Sequence, residues 1–279
     1  MKILLILVSL ILLTSCYDME GDFNFDMTIA VMSREDGSGT RGAFTELMGI
    51  ERNGIDNTFI EADIQHSGGA VVTSVIANMY SIGYISLGSL NDRVTSVSID
   101  GILPTATTVR DGTYPIFRSF YFTFGELDEL AQDFVNFVLS AEGQSIAAER
   151  GYISVDYDSP PFAGSTAAGK VVITGSTSVF PIVEVLGEAF EVVNPNARIE
   201  VHSTGSSAGI NASIEGTADI GMSSRAINAN ELAQINAIEI LYDGLAIIVN
   251  NNNPVQSLSF EEVRQVFEGE IFHWRYFGG

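Results

Sequence analysis

The sequence predicts an α/β protein with mostly parallel sheets, and three observations lead there. Short apolar runs of strand-like length alternate with amphipathic runs of helical spacing along the chain, the trace that strand–helix units leave in a sequence. Three of the joints between them are rich in glycine and hydroxyls: 36–41 (Asp-Gly-Ser-Gly-Thr-Arg), 175–179 (Gly-Ser-Thr-Ser-Val) and 204–209 (Thr-Gly-Ser-Ser-Ala-Gly). With 279 residues, 46% hydrophobic and 17% charged, the chain can bury a substantial core in one large domain or two lobes.

The elements follow in order. Lys2 and the apolar run Ile3 to Leu13 read as an export signal, residues 1–16, too short to anchor as a membrane span. Cys16 is the only cysteine, so neither an intrachain disulfide nor a thiolate metal cluster can form. Its place after Leu13-Thr14-Ser15 resembles a bacterial lipoprotein signal, in which the cysteine carries the lipid; the alternative is a cleaved signal with an incidental cysteine. Residues 17–26 would then be a tether holding the protein outside the cytoplasmic membrane, in the periplasm or on the cell surface.

Met27 to Met32 reads as a buried strand, and Arg41 to Ile50 as a helix with Phe44, Leu47 and Met48 on one face. Ser67 opens a helix through Met79, Ile82 to Ser86 is a strand, and Tyr114 to Phe124 is extended and aromatic. Leu127 to Arg150 has the spacing of one long helix interrupted near Gly143. Residues 156–169, with Pro160-Pro161 and several glycines and serines, have the composition of a linker. Lys170 to Thr174, Ile199 to His202, Ala218 to Met222 and Leu245 to Asn250 read as strands; Phe180 to Val193, Ile210 to Glu215 and Ser259 to Phe267 read as helices.

The three turns suit a small oxyanion. A helix start leaves four backbone N–H groups unpaired and carries about +0.5 of an elementary charge, and nearby hydroxyls add donors. The formal charge of −22 argues against nucleic acid, whose phosphates are held by Lys and Arg clusters. An anion site must therefore act locally, which is feasible because salt screens distant charges within about 8 to 10 Å.

These residues resemble the phosphate-binding proteins of bacterial ABC importers. The segments carrying the resemblance are Ser33-Arg34-Glu35-Asp36-Gly37-Ser38-Gly39-Thr40-Arg41, Ile82-Gly83-Tyr84, 175–181, 204–210, Ala218-Asp219-Ile220-Gly221-Met222-Ser223-Ser224-Arg225, 243–250 and Gly269-Glu270-Ile271-Phe272-His273-Trp274. The resemblance implies a two-lobed periplasmic binding protein fold of type II. It also implies a circular permutation, because the segment resembling 170–279 comes first in the family; the alternative is a fragment of a tandem array. One lobe would comprise 27–116 and 247–279, the other 117–155 and 170–246, with 156–169 linking them.

By the same resemblance the ligand is inorganic phosphate, held without metal or cofactor and passed to an ABC permease in the cytoplasmic membrane. Arg34 would make the charged contact and Asp36 would orient it. Ser38, Gly39, Thr40, Thr177, Ser178, Val179, Ser206 and Ser224 would complete the phosphate site. Some members of the family have an aspartate where Ser224 stands, so discrimination against sulfate here would rest on a hydroxyl or on Arg225.

Two other readings compete. Gly205-Ser206-Ser207-Ala208-Gly209 fits the nucleophile elbow of serine hydrolases, with Ser207 as nucleophile and His273 with Asp219 or Asp243 as partners. A binding fold serving as a sensor or adhesin is the other. Gly164 to Lys170 resembles a phosphate-binding P-loop, but Val171 replaces the Mg²⁺-binding hydroxyl and a strand follows instead of a helix.

Overall fold

The computed structural model describes residues 23–156 and 158–278. Cys16 and the signal lie outside them. In chain order the elements are β1 (Ala30–Arg34), α1 (Gly39–Leu47), β2 (Glu51–Arg52), β3 (Ile55–Asp56), β4 (Asp63–Gln65), α2 (Gly68–Ala77), β5 (Ser81–Ser86), β6 (Val94–Ile99), α3 (Ala106–Arg110) and β7 (Phe117–Phe124). There follow α4 (Glu129–Leu139), α5 (Ala141–Glu149), β8 (Ile153–Ser154), β9 (Gly169–Gly175), α6 (Phe180–Val193), β10 (Ala197–Ser203), α7 (Ser206–Glu215) and β11 (Ile220–Ser223). The last are α8 (Ala229–Leu232), β12 (Asn236–Asn250), β13 (Ser257–Leu258) and α9 (Phe260–Phe267).

The same strand order appears twice. Parallel strands β4-β1-β5 form one half, and parallel strands β10-β9-β11 form the other, so in each the first strand of the half lies between the second and third. Such an order leaves a crevice at the carboxyl ends of the strands, beside the first. An antiparallel strand closes each half: β7 beside β11, and β12 beside β5.

Strand β12 belongs to both halves. Residues 236–244 pair with β7, and 245–249 pair with β5, with a register irregularity between Glu239 and Leu241. Around each half lies its own core. In one, Phe44 stacks on Tyr84 at 4.0 Å between ring centroids, with Phe267 edge-on to both and Trp274 fully buried nearby. The other is built on Phe122, Phe134, Phe137 and Phe190. A smaller cluster of Val71, Val72, Val75, Ile85 and Ile248 packs α2 against its sheet. Fully burying an aromatic or branched aliphatic side chain of this kind contributes roughly 1.5–3 kcal/mol, and these clusters hold each lobe together.

Three local expectations need correction. The helical run predicted over 127–150 is two helices, α4 and α5, and the interruption expected near Gly143 falls three residues earlier, at Ser140. Ser140 Oγ donates to the Phe137 carbonyl at 2.7 Å, closing α4, and accepts from Gly143 N at 3.2 Å, capping α5. Within the predicted linker, residues 158–169 pack against α4 and α6: Phe162 lies edge-on to Phe137, and the Ser165 hydroxyl bonds Asp133 and Asn194. The described end of the expected tether also docks, since Phe23 packs edge-on against Trp274 at 5.7 Å.

Candidate functional site

The first turn after β1, the first after β9 and the start of α7 meet in the crevice between the lobes. Arg34, the last residue of β1, is 1% exposed. Its Nε and Nη2 donate to the two oxygens of Glu35, each at 2.8 Å. Nε also reaches the Gln65 carbonyl at 3.1 Å, and Nη2 reaches Thr177 Oγ1 of the opposite lobe at 3.0 Å. Nη1 is buried and has no partner among the described residues. Tyr84 steadies the strand end, its hydroxyl accepting Arg34 N at 3.2 Å and pairing with Ser33 Oγ at 3.0 Å. Burial pushes the Tyr84 phenol up to about 12.

Hydroxyls surround that guanidinium. Ser38 caps α1 by accepting Arg41 N, and Thr40 in the same turn shares a 2.8 Å hydrogen bond with Ser178 across the lobes. In the opposing turn the Ser176 hydroxyl accepts from Ser178 N and Val179 N and donates to Ser224 Oγ at 2.8 Å. Ser206, first residue of α7, accepts Ser224 N at 3.1 Å. Gly39 is held so close to this pair that an added Cβ would lie 2.2 Å from Ser206 Oγ. Ser207 N donates to the Gly37 carbonyl at 3.2 Å, another bond across the crevice. The lobes are thus in contact, and Arg34, Ser38, Gly39, Thr40, Thr177, Ser178, Val179, Ser206 and Ser224 converge.

Asp36 does not orient Arg34. Its carboxylate is exposed and pairs with Arg41 at 2.9 Å, because Arg41 reaches back from α1 to the turn; Glu35, adjacent to Arg34, occupies the guanidinium edge. Arg225 is likewise drawn away, forked onto Glu231 at 2.8 and 3.0 Å.

The hydrolase constellation is dispersed. Asp219 accepts Val172 N, Asp243 is bonded to Arg118, and His273 sits in a β-bridge with Thr28. Gly209, which supplied the elbow pattern, lets α7 approach the sheet: a Cβ there would lie 2.6 Å from Gly175 Cα.

Sequence reasoning missed Ser176, Glu35 and the buried pair Arg118–Asp243. Ser176 stood within the glycine turn and was legible as a hydroxyl at a helix start. Arg118 and Asp243 lie far apart in sequence and meet only through the β7–β12 register.

The site carries cation and carboxylate in matched pairs, Arg34 with Glu35 and Arg118 with Asp243. What it presents to a ligand is therefore oriented donors: Arg34 Nη1, hydroxyls and the starts of α1, α6 and α7. Such a crevice between two α/β lobes suits a small oxyanion.

The fold is that of a two-lobed binding protein, and the chain belongs to the PBP superfamily, whose domain model matches residues 19–142 and 160–279. Phosphate-binding protein PstS 2 of Streptococcus pneumoniae is 42% identical over 252 residues, 88% of this chain and 87% of that protein. Its counterpart named PstS 2 in Streptococcus agalactiae is 39% identical over 255 residues, 88% of this chain and 87% of its own. A crystal structure of a phosphate-binding protein of a phosphate ABC transporter from S. pneumoniae aligns with a TM-score of 0.74 at 42% identity, covering 90% of this chain and all of that one.

Proposed function

We propose that this protein captures inorganic phosphate outside the cytoplasmic membrane and delivers it to an ABC permease. The observation that carries the reading is Arg34 Nη1, a buried donor left unpaired among the hydroxyls of three helix starts. The relatives named for phosphate binding, similar over nearly their full length, support the same ligand. In this reading Arg34 makes the charge-assisted contact and Ser38, Gly39, Thr40, Thr177, Ser178, Val179, Ser206 and Ser224 supply hydroxyls and amides. Each bond to a charged group contributes about 1.5–3 kcal/mol, so four or five offset the ordering cost and leave micromolar affinity, near −8 kcal/mol.

A lipid on Cys16 would keep the protein at the membrane surface. Replacing Cys16 by Ala should release it into the soluble fraction; retention on the membrane would remove the anchor from the scheme. We also read the two halves as circularly permuted relative to the phosphate-binding family. The repeated strand order of the two halves, and the side-by-side course of the chain near Phe25 and Gly278, support that reading.

The test of the function is titration calorimetry of residues 17–279 with phosphate. Saturable one-to-one binding by a monomer is expected. A folded monomer giving no heat with phosphate would leave the fold without this ligand and favour a sensor or adhesin.

A further inference from the structure

We propose that Arg118 and Asp243 form a positioning pair that sets Ser224 in the anion site and ties its placement to the closed arrangement of the lobes. The proposal rests on the phosphate reading above. The two residues face each other in the antiparallel register of β7 and β12, the strands that run between the lobes. Both are buried, Arg118 at 6% and Asp243 at 1% exposure.

Every polar atom of the pair has an address. Arg118 Nε and Nη2 donate to Asp243 Oδ2 at 3.2 and 3.0 Å, and Nη1 donates to the Ser224 carbonyl at 3.2 Å. Asp243 Oδ1 accepts from Ser86 Oγ at 2.8 Å and from Gly88 N at 3.4 Å. Ser86 ends β5 in one lobe, whereas Ser224 follows β11 in the other. A continuous path of hydrogen bonds therefore joins the two lobes through the crossing strands. It ends on the residue whose amide and hydroxyl meet Ser206 and Ser176. Neither residue hydrogen-bonds a donor hydroxyl of the crevice; Arg118 reaches the site through the Ser224 carbonyl, so the pair acts through Ser224.

Burial explains why such a pair stands for a placement role. It pushes the Asp243 carboxyl up and the Arg118 guanidinium down, with Arg34 adding to the latter. Burial thus disfavours each charge, and the partner offsets that cost. Buried ion pairs are commonly no more stabilising than apolar residues of similar volume, and geometric specificity is one attested reason for keeping them. The forked guanidinium also fixes two directions at once, towards Asp243 and towards Ser224, which a lysine ammonium cannot do with the same geometry.

The experiment compares wild type, Arg118→Lys and the double variant Arg118→Met/Asp243→Leu. Phosphate Kd is measured by calorimetry, association and dissociation rates by stopped flow, and ligand-free stability by thermal melting. Arg118→Lys keeps the ion pair but loses the fork to Ser224; the double variant removes the buried charges without orphaning one. Both should melt near wild type and bind phosphate about tenfold more weakly, the scale of one lost hydrogen bond, chiefly through faster dissociation. A merely structural pair would shift the melting temperature and leave Kd and dissociation rate alone. Folded variants with wild-type affinity overturn the proposal, as does failure of both variants to fold. A wild-type protein that binds no phosphate overturns the functional reading itself, and the proposal with it.

Discussion

Arg34 concentrates the chemistry of the crevice at one atom group. Arg34→Ala removes the unpaired Nη1 while leaving Glu35 with water, since that carboxylate is 19% exposed. We expect phosphate binding to fall by more than about 100-fold, the loss of a charge-assisted contact, with little change in melting temperature; unchanged affinity in calorimetry would remove Arg34 from the site. Ser224 decides a subtler matter. A hydroxyl can donate to sulfate or accept the proton of hydrogen phosphate, whereas a carboxylate can only accept. Sulfate should therefore compete with phosphate in this protein, and Ser224→Asp should suppress that competition; a wild type indifferent to millimolar sulfate would contradict this. Much of the candidate site was legible as a place where these residues meet, because a glycine–hydroxyl turn between a strand and a helix is a local signal. The orienting carboxylate was not. Whether residue 35 or 36 meets Arg34 depends on Arg41 reaching back and on Asp56, fifteen residues further on, holding Arg41 Nε at 2.8 Å.

At the scale of elements, β5 and α5 show how single groups set strand ends and helix starts. Tyr84 on β5 holds the end of β1, and its phenol is raised by burial to about 12 from an ordinary value near 10. A folded-state value above the unfolded one means the associated stability is complete below pH 10 and is lost as pH rises through 12. Tyr114 and Tyr152 are raised by burial as well and add to the same trend. Thermal melts should fall steeply over pH 10 to 12, and Tyr84→Phe should flatten part of the fall; a flat profile would contradict the linkage. Ser140→Ala should cost about 1 kcal/mol, a typical value for a lost helix cap, read by urea unfolding. The sequence showed an interruption near Gly143 but not its exact place, because the apolar spacing continues across Ser140 and the cap bonds alone fix the break there. Nor was the first half of β12 visible. Asn236 to Gly244 mixes polar and apolar residues, and the irregularity at Glu239 to Leu241 interrupts their alternation.

For the whole molecule, the proposed permutation of the halves can be tested through the chain ends. The Phe25 ring lies where a Cβ on Gly278 would fall, 2.3 Å from it, so the two chain segments run side by side. A gene that opens the chain within 158–168 and joins 278 to 25 through a short Gly-Ser bridge should still fold and bind phosphate. Loss of folding in that rearranged chain would mean that the present order is required by the architecture. The α/β class and the positions of the longer strands were readable from periodicity, and the two-lobed fold from the resemblance. The sharing of one strand by two sheets was not, since it depends on pairings more than a hundred residues apart.

That shared strand has a consequence for how the protein comes apart. Residues 236–244 complete one sheet and 245–250 the other within a single extended segment. Melting either lobe exposes the edge of the strand that the second lobe also uses, so neither can unfold alone without cost to its neighbour. Calorimetric heating should therefore give one transition, with van't Hoff and measured enthalpies in agreement, although two separate cores are present. In native-state hydrogen exchange, the amides in the middle of β12 should open only with the whole molecule and be among the last to exchange.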